Sequence, residues 1–142
     1  MIEPTNETPK KPGIVIFVSI LNFFSSTLWF FITLLFSALL VLGNSASFYQ
    51  QVTSRLQERL PAGQNIAVGW NVVFSFFVAL GLFFSIYHLF LGIGLLKGKG
   101  AAWYVQIVTA ILGLIMIPYG TIISIIILIF FFRTNVRGFF KV

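Results

Sequence analysis

Two apolar runs, Ile14 to Leu42 and Ile66 to Leu96, contain no Asp, Glu, Lys or Arg, and this constrains the fold more than any other feature. Wound as α-helix, each run would be roughly 45 Å long, against a bilayer hydrocarbon core of about 30 Å. Only 8% of the 142 residues are charged, whereas soluble domains carry about 25%. The chain therefore reads as an all-α integral membrane protein with room for one domain. Lys10-Lys11 before the first run, and Ser45-Ala46-Ser47 after it, loosely resemble a signal peptide. A signal core is only about 7–15 residues long, so an uncleaved first span is expected instead.

The basic residues set the expected topology. Gly92 to Gly100 reads Gly-Ile-Gly-Leu-Leu-Lys-Gly-Lys-Gly, a tight turn after the second run. Gly98 and Gly100 are expected to supply positive φ angles there, and Lys97 suits the C-terminal end of a helix. Short loops rich in Lys and Arg stay cytoplasmic. A third span is expected over 101–117 and a fourth over 120–136. Pro118-Tyr119-Gly120 acts as a turn between them, because a continuous helix would carry Arg133, Arg137 and Lys141 outside. Lys10, Lys11, Lys97, Lys99, Arg133, Arg137 and Lys141 then lie inside, leaving Arg55 and Arg59 outside. The expected architecture is a multi-pass bundle of four antiparallel transmembrane helices in the plasma membrane, with both termini cytoplasmic. Residues 1–13 form a polar tail. Phe48, Val52, Leu56 and Leu60 predict an external amphipathic helix over 45–60, stopped by Pro61-Ala62-Gly63.

Polar and small residues inside the spans predict how the helices pack. Asn22, Ser26, Thr33 and Ser37 share one stripe of the first span with Trp29, which is expected to be packed inside the protein. Gly81, Ser85, His88 and Gly92 share one face of the second. Such residues face other helices, since lipid offers them no partner. The two stripes are expected to meet. Gln106, Thr109, Gly113 and Met116 form the corresponding face of the third span, with Trp103 and Tyr104 as interface anchors. Lys97, Lys99, Arg133, Arg137 and Lys141 are expected at anionic lipid headgroups.

Most chemistry is argued against by residue type. Gly92 to Gly100 fails as a nucleotide loop, because Lys97 stands where a dinucleotide fingerprint needs Gly or Ala, and Gly100 where a Walker loop needs Ser or Thr. There is no cysteine, and the three acids, Glu3, Glu7 and Glu58, lie outside the apolar runs. The single histidine, His88, thus has no carboxylate to orient it and no companion ligands for a metal. It reads as a neutral imidazole hydrogen-bonded to a Ser, Thr or Asn across the bundle. No enzyme activity, cofactor, metal or nucleic-acid partner is expected, and the net charge of +6 is assigned to topology and headgroups.

Three segments, Gly94-Leu-Leu-Lys97-Gly-Lys99-Gly-Ala-Ala-Trp103, Pro118-Tyr-Gly120-Thr121 and Val136-Arg137-Gly-Phe139-Phe140, resemble uncharacterised small prokaryotic membrane proteins. The resemblance covers the C-terminal third and implies a four-span helical protein without assigned catalytic residues. Two functions are expected from different classes. One is a non-enzymatic accessory subunit or interaction scaffold, through a membrane-protein partner or self-association. The other is a small oligomeric pore or carrier for lipid or a neutral solute, which requires the polar stripes to line a wet cavity.

Overall fold

The computed structural model describes residues 11–43, residue 54 and residues 66–142. All but Ser54 of the amphipathic helix expected over 45–60, and most of the N-terminal tail, lie outside the described residues. Those described form helices joined by short turns, with no strand among them. The elements are α1 (Gly13–Gly43), α2 (Ile66–Leu96), α3 (Gly100–Gly113), α4 (Tyr119–Phe131) and α5 (Thr134–Phe140). With 31 residues each, α1 and α2 are about 46 Å long. Both are long and apolar enough to cross a membrane, and so are α4 and α5 if that bent pair is taken as one span.

Helix ends follow the local chemistry. Pro12 precedes α1, and its carbonyl accepts the amides of Val15 and Ile16 at 3.0 and 3.4 Å. At the end of α2 the Gly98 amide bonds Leu95 O at 3.0 Å and the Lys99 amide bonds Gly94 O at 3.1 Å. This is a Schellman ending, with the left-handed residue Gly98 at φ 64. Gly100 does not share that conformation, contrary to expectation. It opens α3 as an ordinary helical residue, and a β-carbon on it would stand 3.1 Å from Val142 Cγ1.

The chain forms two compact units, residues up to Phe24 with His88–Val142, and Ser25–Tyr87. In the first, α3 and α4 fold back on each other as an antiparallel hairpin. At its open end Trp103 Nε1 donates to the Phe131 carbonyl at 3.1 Å. At its closed end Thr121 Oγ1 donates to the Leu114 carbonyl at 2.9 Å. The turn expected at Pro118-Tyr119-Gly120 is present, but both helices are shorter than expected. α3 stops at Gly113 because the next amides bond three residues back, Leu114 to Ile111 and Ile115 to Leu112, and Pro118 has no amide to resume the helix. α4 stops at Phe131, not 136, and α5 leaves it at 79°. That bend brings Phe140 onto Phe131, ring centroids 6.1 Å apart, and buries Val136 and Phe140. Val15, Val18, Leu91, Leu95, Ala102, Ile107, Ala110 and Ile127 complete the core of this unit.

In the second unit α1 and α2 pair antiparallel through aromatic rings. Trp29 stacks on Phe84 at 5.0 Å, and Phe36 on Phe77 at 4.9 Å. Trp29 is half-buried, held by a ring partner near the middle of its helix. The outward faces of α1 and α2 in this unit carry exposed Phe, Leu, Val and Ile, which suits contact with lipid.

Candidate functional site, a buried polar cluster and a basic end

Three helices of the first unit place polar side chains on one point. Asn22 of α1 sits at the centre. Its Nδ2 donates to Gln106 Oε1 of α3 at 2.9 Å and to the carbonyl of Val18, one turn back, at 2.9 Å. Its Oδ1 lies 2.9 Å from His88 Nδ1 of α2. An amide oxygen can only accept, so Nδ1 is the ring nitrogen carrying hydrogen. Asn22 thus uses both donors and its acceptor, tying three helices together where lipid would leave these groups unsatisfied. Ser19, one turn before Asn22, is fully buried and donates to Val15 O at 2.8 Å.

The other helix-packing residues are spread along the α1–α2 pair. In the second unit Ser26 Oγ donates to the Ser85 carbonyl at 2.8 Å and lies 3.5 Å from Ser85 Oγ. Thr33 donates to the Trp29 carbonyl at 2.9 Å. Gly81 faces it so closely that a β-carbon there would lie 2.5 Å from Thr33 Oγ1. Gly92, in the first unit, does not face a polar residue. It lies against the Phe23 ring, with a β-carbon placed 3.0 Å from Cε1. Among the described residues, no buried side-chain nitrogen or oxygen lacks a hydrogen-bond partner.

On α3 the expected face is corrected in part. The buried residues are Ala102, Trp103, Gln106, Ile107 and Ala110, spaced for one helical face. Met116 is 72% exposed, because the chain has left the helix before reaching it. Trp103 is 6% exposed and packs between helices, with Phe132 edge-on at 5.6 Å. Of the expected anchor pair only Tyr104 points outward.

One packing residue, Ser124, escaped the sequence reading, and for Gln106 the polar face was expected but not the partner. Gln106 is the hydrogen-bonding partner of Asn22, and the signal was available, since it is the only amide side chain in α3. Ser124 of α4 is buried and stands directly opposite Gly113, in contact with the space a β-carbon there would fill. One serine in an Ile-rich helix gives a weak signal.

The basic residues form the second feature. Lys97, Lys99, Arg133, Arg137 and Lys141 are all exposed. Every Asp and Glu of the chain falls outside the described residues, so none of the five meets a side-chain carboxylate among them. Arg133 stands over the Phe130 ring, 4.3 Å from its centroid, a cation–π contact. Among the described residues no group of His, Cys, Asp or Glu is placed to hold a metal ion. The chain matches no family model, no curated protein and no solved structure.

Proposed function

We propose that this chain is a non-catalytic integral membrane protein that acts by association, as an accessory subunit of a membrane complex or as a self-associating scaffold. The observation that supports this most is the use of its intramembrane polar groups. Asn22, His88, Gln106, Ser26, Ser85 and Thr33 bond to one another or to nearby carbonyls within a single copy. A solute path needs polar groups turned toward water, and these are turned toward each other. Among the described residues, α1 to α4 offer mostly apolar side chains outward, which suit lipid and helix partners.

In this reading the protein crosses the plasma membrane of a prokaryotic cell four times, with both termini cytoplasmic. α1 and α2 are the long spans, and the α3–α4 hairpin is a short pair. The positive-inside bias of the basic residues supports that orientation.

The test is purification in mild detergent with identification of co-purifying proteins and measurement of mass in solution, beside a flux assay in sealed vesicles. A defined membrane-protein partner or a discrete oligomer, without permeation of small neutral solutes, is the expected result. Solute flux that rises with protein density and is altered by Asn22→Leu would favour the pore or carrier instead.

A further inference from the structure

The α2–α3 turn and the C-terminal helix are brought together at one end of the first unit. A β-carbon on Gly98 would stand 3.2 Å from Phe139 Cε1 and from the Phe139 carbonyl, and one on Gly100 would stand 3.4 Å from the Phe140 carbonyl. Lys97 and Lys99 flank Gly98 on the turn. Arg133, Arg137 and Lys141 recur every four residues along α5 and its two ends, and all are exposed. The residues between them that hold α5 down, Val136 and Phe140, are buried. α5 is therefore a short amphipathic helix, apolar toward the hairpin and cationic away from it.

Its direction gives that stripe a meaning. α4 is a nearly pure Ile, Leu and Phe helix, and α5 departs from it at 79°. With α4 inserted along the bilayer normal, α5 lies close to the plane of the headgroups. Phe132, 55% exposed, sits at the corner, next to Arg133 on its Phe130 ring. A basic in-plane helix of this kind is drawn to anionic headgroups. The Schellman ending of α5 holds Lys141 itself in the left-handed conformation, φ 55, where the Lys141 amide bonds Gly138 O and the Val142 amide bonds Arg137 O.

We propose that Lys97 and Lys99 of the turn, with Arg133, Arg137 and Lys141 of α5, form one continuous cationic site for the headgroups of anionic phospholipids. The site rests on the membrane reading above, deepens its partner to a lipid class, and is independent of which protein, if any, associates with the chain. Two separate chain segments supply the charge, so the site exists only where the hairpin and α5 are folded.

The full chain would be reconstituted in vesicles of equal phosphatidylcholine and phosphatidylglycerol, re-extracted gently, and weighed with its retained lipids by native mass spectrometry. Phosphatidylglycerol is expected to be retained several-fold over phosphatidylcholine. Lys97→Gln/Lys99→Gln and Arg137→Gln/Lys141→Gln should each reduce that excess several-fold, while Lys97→Arg/Lys99→Arg restores it and Arg55→Gln/Arg59→Gln, with the same loss of charge, leaves it. Inorganic phosphate should not displace the lipid. An unchanged excess when all four are glutamine, an equal loss in the Arg55/Arg59 variant, or displacement by phosphate would each overturn the site. So would tighter binding of soluble polyglutamate than of lipid, which would assign the surface to an acidic protein. Resistance of each variant to carbonate extraction reports the membrane reading separately.

Discussion

Asn22 Oδ1 and His88 Nδ1 face each other across 2.9 Å, and the same Asn22 side chain holds Gln106 of a third helix. The histidine is therefore the outer member of a cluster whose centre is the asparagine. Hydrogen bonds between membrane helices average only about 0.6 kcal/mol, whereas leaving buried partners unsatisfied costs about 1–3 kcal/mol. Asn22→Leu removes the bonds to His88 Nδ1 and Gln106 Oε1 and is expected to destabilise the protein by about 1–3 kcal/mol. His88→Gln, which can still donate, should cost less than about 1 kcal/mol. Reversible unfolding in mixed detergent micelles measures both. If the histidine variant loses a cellular role while accumulating normally, His88 has a chemical task beyond packing.

Gly81 and Thr33 make a tighter test of the α1–α2 pair. Gly81→Ala puts a methyl group 2.5 Å from Thr33 Oγ1, and the β-branched threonine has few rotamers to retreat to. The variant should lose about 1–3 kcal/mol through overpacking. Adding Thr33→Ala should recover much of the loss, so the pair is non-additive in a double-mutant cycle. Additive effects would mean that these positions do not touch.

At the closed end of the hairpin Gly120 is more demanding. A β-carbon there would lie 2.7 Å from the Gly113 carbonyl, and a backbone atom cannot swing aside. Gly120→Ala is expected to cost at least as much as Gly81→Ala and to resist rescue by any single side-chain change. Thermal unfolding of the two variants side by side would check the order.

Topology can be read by cysteine labelling, because the native chain has no cysteine. Lys99→Cys should react with an impermeant thiol reagent only after the cells are opened. Ile117→Cys, 82% exposed at the hairpin tip in the native chain, should react in intact cells if the hairpin crosses completely. Labelling of Lys99→Cys in intact cells would invert the proposed orientation. A protected Ile117→Cys would mean that the hairpin ends within the bilayer.

The sequence by itself determined what depends on local chemistry and on the solvent. Charge-free runs made α1 and α2 helical and apolar, since lipid leaves a backbone no other way to satisfy its amides. Gly98 marked the end of α2, because few other residues accept that left-handed angle without cost, and Pro118 marked the break between α3 and α4. The polar stripe of α1 was legible too, because Asn, Ser and Thr stand out against Phe and Leu.

Only the tertiary structure decided which groups meet. An Ile-, Leu- and Phe-rich helix such as α4 looks the same from all sides in sequence, so nothing local told that Ser124 faces Gly113 or that Trp103 turns inward to the Phe131 carbonyl. The 79° bend after α4 follows from Phe140 and Val136 finding the core, a contact between residues that local propensity treats as more helix. Asn22 could have bonded any polar neighbour within reach. That it holds His88 and Gln106 at once is fixed by the register of three helices, which packing sets and no single segment carries.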